Sequence, residues 1–213
     1  MDVDTLLTTT RSVRRKFDLD HPVDIAVVRD CLRIALQAPG AGALAPGIRF
    51  LVIEDPGTRA ALAPHVREPA RASHAQYGHL VSPATLASSR HLLDVLDRVP
   101  VLVLVAMLGR PDGSPSFANA FYGSVYPAIW SFQLALRSRG LGTAITCYHI
   151  AGREGEVAAL LGIPDDVTQV TLLPVAHLTT NEFRPAARPE VQSVTYYERW
   201  GRTAAETEHL SVG

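Results

Sequence analysis

Cysteine is scarce in this chain. Cys31 and Cys147 are the only two, too few for a disulfide framework or a four-ligand zinc site, and consistent with reduced thiols in the cytoplasm. None of the eight histidines stands in an HxH or HxxxH spacing, so no metal centre is expected. A long apolar run is missing as well. The first fifteen residues lack the apolar stretch of a secretory signal, and VPVLVLVAML (Val99 to Leu108) is far short of the roughly 20 residues that a membrane-crossing helix needs. The chain reads as soluble and cytoplasmic, with no membrane partner. There is no excess of one charge either. A formal net charge of −1 and a pI near 6.7 argue against a domain that holds nucleic acid. No GxSxG elbow is present, so serine-hydrolase chemistry has no support.

What is present suits a globular enzyme. The chain is 47% apolar and 19% charged, enough to bury a sizeable core. Helical and extended patterns alternate without a break, internal repeat or low-complexity tract, which gives α/β or α+β and one domain over 1–213. In DIAVVRDCLRIALQAP, Ile25, Val28, Leu32, Ala35 and Leu36 share a helical face, with Asp24 as cap. IRFLVIED (48–55) reads as a strand, followed by a short helix over Thr58 to His65. Residues 67–83 show no period and predict a mobile excursion. SSRHLLDVLDRV reads as a helix, and 100–107 as a buried strand. SVYPAIWSFQLALRSRG predicts a long apolar helix with Ser124 as cap, Pro127 in its first turn and Gly140 at its end. GTAITCY and TQVTLLPVAH follow as strands, with the helix EGEVAALLG between them, and 202–213 reads as a tail.

Three stretches invite a chemical reading. In TTTRSVRRKFDLDHPV, Arg11, Arg14, Arg15 and Lys16 fall within six positions. A nucleic-acid arm, a solvated helix end and a pocket for one phosphate all fit that cluster, and the near-neutral pI favours local chemistry. GAGALAPG (Gly40 to Gly47) is not a dinucleotide loop: its glycines do not follow GxGxxG, and it leads from a helix into a strand. In CYH (147–149), Cys147 and His149 share a face of the expected strand, and a satisfied structural pair is the expectation ahead of a nucleophile and base.

The order of the pieces carries more than any one of them. TRSVRRKF, then PV and an amphipathic helix, then AP with a small-residue loop, then VPVLVLVAMLGRPDGSP, SVYPAIWSFQLALRSRGLGTAIT, LLGIPDDVTQVTLLPVAH, FRPAARPEVQSV and YYERWG together resemble the nitroreductase family of FMN-dependent oxidoreductases over about residues 5–201. The resemblance implies an α+β fold: a three-layer α-β-α sandwich around a mainly antiparallel sheet, with a swapped C-terminal segment. It also implies a homodimer with two equivalent flavin sites. The apolar helix at 124–138 suits such an interface.

The resemblance further implies FMN as cofactor and NAD(P)H as electron donor. Arg11, Ser12, Arg14, Arg15 and Arg188 would hold the phosphate and ribityl chain, where guanidinium forks suit a dianion. Pro39, Gly40 and Gly42 fall in the loop that meets the ring, and Gly142, Thr143 and Thr146 in the segment whose backbone lines its reactive edge. No side chain is needed as catalytic acid or nucleophile, because the flavin carries the electrons.

The chain departs from the family at 39–47. APGAGALAPG has none of the Ser, Asn and Gln side chains that relatives offer there. The function implied is ping-pong hydride transfer from NAD(P)H to a nitro, quinone or other conjugated acceptor. The alternatives are a non-catalytic relative that binds flavin or another phosphorylated ligand, and a flavin-dependent desaturase of a biosynthetic route.

Overall fold

A computed structural model describes residues 1–203. The chain divides into two compact units, residues 1–183 and residues 184 onward. The first opens with α1 (Val3–Thr9), β1 (Phe17–Asp18), α2 (Ile25–Ala35) and β2 (Ile48–Ile53). It continues through α3 (Pro56–Tyr77), α4 (Pro83–Asp94), β3 (Val101–Leu108) and α5 (Pro115–Arg137), and closes with β4 (Leu141–Thr143), α6 (Glu154–Leu161) and β5 (Val167–Leu178).

The sheet runs β1-β5-β3-β2, with β4 also pairing β5, and every pairing is antiparallel. β3 and β5 sit inside the sheet and are buried along nearly their whole length, which explains why both read as continuous apolar runs rather than alternating ones. Successive β3 residues supply opposite faces. Val101, Val103, Val105 and Met107 join a core built with α2 and α5. Leu102, Leu104 and Ala106 join a second core with residues of α3, α4 and α6. Helices on both faces of an antiparallel sheet make the expected α+β three-layer sandwich.

Local signals placed several elements well. Asp24 caps α2, accepting from Ala26 N at 2.8 Å. Gly140 ends α5 with φ +74°, a conformation that glycine adopts freely.

Three expectations need correction. The short helix at 58–65 is only the start of α3, which runs to Tyr77, so the first part of the expected excursion at 67–83 is helical. A 3-10 turn (Gly78–Leu80) and the start of α4 complete that stretch. Pro64 and Pro69 lie inside α3, each at a cost of about 3 kcal/mol in an isolated helix. The stripe Leu62, Ala63, Val66 and Ala70, buried on the sheet, offsets that cost. Arg67 pins the helix further, donating from Nε to Leu93 O at 2.6 Å and pairing with Asp97.

α5 begins ten residues earlier than expected. Ser114 is its cap and Pro115 stands in its first turn, so Pro127 is interior. Ser124 Oγ instead donates to Ala120 O at 2.7 Å within the helix. Finally, the strand expected over GTAITCY ends at Thr143. Thr146 keeps one bridge to Leu172, and 148–150 form a 3-10 turn.

The second unit has a 3-10 turn at Val191–Ser193 and an ion pair of Arg202 with Glu198 at 2.9 Å. The expected tail at 202–213 lies outside the described residues from 204 on.

Candidate functional site

The cationic stretch is fixed by its backbone. Val13 N donates to Thr143 O at 2.9 Å, Thr179 N donates to Lys16 O at 3.0 Å, and Phe17–Asp18 pair with β5. This strap therefore lies beside β4, and Val13 and Phe17 are buried in the core shared with α3 and α4. Gly142 sits at a close contact: a Cβ there would stand 2.4 Å from Leu178 Cδ2 on β5 and 3.2 Å from the Phe17 ring, so a side chain would force Leu178 and the Phe17 ring to give way.

With the backbone held, the charged side chains are left available. Arg11 and Arg14 are half-buried, and Ser12, Arg15 and Lys16 are exposed. None of the four cations pairs with a carboxylate among the described residues. Burial lowers the pKa of Arg14 from its ordinary value, opposed in part by Tyr148. Desolvating a cation that has no counterion is costly.

The segment after β4 adds unpaired donors. Thr146 N and O both bond Leu172, at 3.0 and 2.8 Å. The backbone N–H groups of Ala144, Ile145, Cys147 and Tyr148 find no acceptor among the described residues. The buried hydroxyls of Thr143 and Thr146 are also unpartnered. Buried polar groups are ordinarily satisfied. Free amides beside unpaired arginines could hold an anionic, acceptor-rich ligand.

The remaining expected residues lie elsewhere. Pro39, Gly40 and Gly42 belong to a loop fixed to α5 by Ala41 N donating to Ser124 Oγ at 2.9 Å. Ala38 and Leu44 on either side of it pack into the core of α2 and α5, on the opposite face of the sheet from the strap. Gly40 is confined, since a Cβ would meet Ala45 and Ser124 at 3.2 Å, whereas Gly42 faces open space. Arg188 is in the second unit, exposed, donating to Ala187 O at 3.2 Å.

Cys147 and His149 do not bond each other, so the expected pair is absent. The Cys147 thiol donates weakly to Val170 O and Thr171 Oγ1 at 3.6 and 3.5 Å, and burial pushes its pKa up, the wrong direction for a nucleophile. His149 is fully buried with both ring nitrogens unpartnered, and desolvation holds its pKa down at about 4. No group of three or more metal-ligating side chains occurs among the described residues, and no described helix is long and apolar enough to cross a membrane.

Two cavities border Cys147 and Tyr148. One, of about 650 Å³, is lined by Cys147, Tyr122, Tyr126, Arg110, Glu154 and Gln169, among others. The other, of about 180 Å³, is lined by Arg14, His74, Ser89 and Tyr148, among others. Sequence reading missed His74 and Ser89, because nothing in a helical pattern marks which polar residues a distant strap will meet.

The nitroreductase family model matches residues 7–177. An iodotyrosine deiodinase of Drosophila melanogaster is 25% identical over 178 residues, covering 81% of this chain; the chain spans 61% of that relative's length. Among solved structures, a BluB-like flavoprotein of Clostridium difficile 630 superposes with a TM-score of 0.70 at 18% identity, covering 93% of this chain and 100% of that one. An FMN- and NADPH-dependent nitroreductase of Sphigopyxis sp. strain HMH gives 0.66 at 23% identity, covering 93% and 99%.

Proposed function

The chain belongs to the nitroreductase family, an oxidoreductase family, and on that premise we propose that it is an FMN-dependent oxidoreductase. It transfers hydride between NAD(P)H and a nitro, quinone or other conjugated acceptor. The observation that carries this reading is the pairing of unneutralised cations at 11–16 with the unbonded amides of Ala144, Ile145, Cys147 and Tyr148, joined by the Val13–Thr143 hydrogen bond. The solved flavin-dependent relatives named above lend it support.

When bound, FMN supplies the two-electron chemistry. The chain's own residues do the rest. Arg11 and Arg14 hold the phosphate through charge-assisted hydrogen bonds, with Ser12 and Arg15 at the rim. The free amides of Ala144, Ile145, Cys147 and Tyr148 would donate to the ring edge, where they would stabilise negative charge. Gly142 and the buried Thr143 keep that segment against the strap, and the buried Thr146 ties it to β5 through Leu172. The loop at 39–47 offers backbone only, which weakens its grip on the ring.

The same reading includes a homodimer, which the placement of strap and loop supports. Strap and loop pack on opposite faces of one sheet, so a second copy is the natural source of the loop for each strap. Tyr122, Tyr126 and Trp130, one turn apart on α5 and each about 40% exposed, give an aromatic row suited to an isologous contact. The loss of loop side chains favours one other reading, a non-catalytic relative that binds flavin without turnover.

The deciding experiment is an absorbance spectrum of the purified chain with FMN titration, followed by NAD(P)H oxidation with a quinone. Flavin absorbance and acceptor-dependent turnover are expected. A colourless protein that binds no FMN overturns the proposal, and flavin binding without turnover selects the non-catalytic reading.

A further inference from the structure

The cavity of about 650 Å³ beside Cys147 contains none of the cations of the strap. Its volume lies within the roughly 300–1,000 Å³ of small-molecule sites. Tyr122 and Tyr126, one turn apart on α5 and so on one face, both line it, as do the apolar Pro111, Ile150 and Val170. The Tyr122 ring is held by an edge contact with Phe121, with centroids 5.4 Å apart and planes at 81°. Cys147 also lines the cavity, so a ligand there lies beside the segment whose amides are free.

The polar groups around this space divide into two kinds. The hydroxyls of Tyr122 and Tyr126 have no hydrogen-bond partner among the described residues. Burial raises the Tyr126 pKa, with Cys147 and Tyr122 adding to it, so the phenol keeps its proton and remains a donor at neutral pH. The charges, by contrast, cancel. Arg110 is the single cation lining the cavity and Glu154 the single carboxylate, and they pair at 3.4 Å. Both are fixed from behind: Arg110 Nε donates to Asp165 O at 2.7 Å, and Gln169 Nε2 donates to Glu154 O at 2.8 Å. The cavity thus offers aromatic rings and two free donors, and no cation without a counterion.

We propose that this cavity binds an uncharged planar aromatic molecule bearing a carbonyl or nitro oxygen, with Tyr122 and Tyr126 as hydrogen-bond donors and Glu154, by occupying Arg110, as the residue that turns anionic ligands away. Carbonyl and nitro oxygens accept and never donate, which matches free phenols, and a flat ring gains further from the tyrosine rings. An anionic ring would meet the Glu154 carboxylate and find Arg110 already engaged. As the place of the acceptor, the site rests on the redox function proposed above; as a binding site it stands without it. A second copy seated on the aromatic row of α5 would roof the cavity.

Equilibrium dialysis of the purified full-length chain against three ring-matched probes tests this: fluorenone, which has the carbonyl; fluorene, which lacks it; and fluorenone-2-carboxylate, which adds a negative charge. Fluorenone is expected to bind more tightly than either of the others. Tyr122→Phe with Tyr126→Phe keeps both rings and should weaken fluorenone about fivefold, the range of a neutral hydrogen bond, while leaving fluorene unchanged. Glu154→Gln should tighten the carboxylate about tenfold by freeing Arg110, with fluorenone unchanged. The tyrosines are exposed and Glu154 is half-buried, so these variants should fold. No binding of fluorenone, equal affinity for fluorenone and fluorene, or no loss of fluorenone affinity in the double variant overturns the proposal. So does a carboxylate affinity that Glu154→Gln leaves unchanged. None of these measurements needs flavin or NAD(P)H, so a failure here is distinct from a failure of the redox reading, which flavin absorbance and turnover report.

Discussion

The strap at 10–18 and the loop at 40–47 are both short and irregular, and both are fixed by hydrogen bonds to a neighbouring element. They offer a ligand opposite things. The strap commits its backbone to β4 and β5 and leaves its side chains to carry the chemistry. The loop has no polar or charged side chain at all; one of its amides is taken by Ser124, and the rest of its backbone is what remains. On the proposed function, the strap would recognise a charged group through side chains, whereas the loop would meet a planar ring through its main chain and hold it less tightly.

The contrast can be broken first through stability. The segment joined to the strap contains His149, buried and neutral with a pKa of about 4 against an ordinary 6.5, whereas the loop has no titratable group. Above pH 6.5 both folded and unfolded chains carry it neutral. As pH falls below 6.5 the unfolded form takes up a proton first, so stability is lost down to about pH 4 and then levels. The shift corresponds to about 3 kcal/mol. Urea melts at pH 7 and 4.5 should show a drop that His149→Leu largely abolishes. An identical drop in the variant would assign the pH dependence to carboxylates instead.

Binding comes next. Arg11→Ala and Arg14→Ala should each weaken FMN binding by about 1.5–3 kcal/mol, and Arg188→Ala by a similar amount, while Lys16→Ala costs close to nothing. Flavin fluorescence quenching measures all four. Equal, small losses across the set would reduce the strap to a solvated face.

Smaller effects belong to the loop. Ser124→Ala removes the acceptor of Ala41 N and should cost about 0.5–1.5 kcal/mol of stability, read as a shift in denaturant midpoint, with looser flavin binding. A midpoint within error of the parent would mean that water replaces Ser124 without loss.

The gentlest test restores side chains. Gly42 has open space around its Cβ position, so Gly42→Ser with Ala43→Asn should fold normally and tighten FMN about two- to tenfold, the range of a neutral hydrogen bond. If affinity and turnover of small nitroaromatics both stay put, the loop works through its backbone alone.

Much of this was written locally. The continuous β-branched runs of β3 and β5, the Asp24 cap and the stop at Gly140 are each settled by neighbours within a few positions, because period, capping and backbone freedom are local properties. The cationic cluster and the order of segments were equally legible, and they led to the family.

Tertiary structure decided what depends on distant partners. Pro64 and Pro69 mark a break by local rules, yet α3 continues through them because its apolar stripe is buried on the sheet. Ser124 has the composition of a helix cap but became a mid-helix anchor once Ala41, 83 positions away, required an acceptor. The same reason kept the strap and the loop on opposite faces and brought Arg14, His74, Ser89 and Tyr148 to one cavity. A sequence states which groups are charged, but the packing of helices on a sheet determines which of them meet and which are left without a partner.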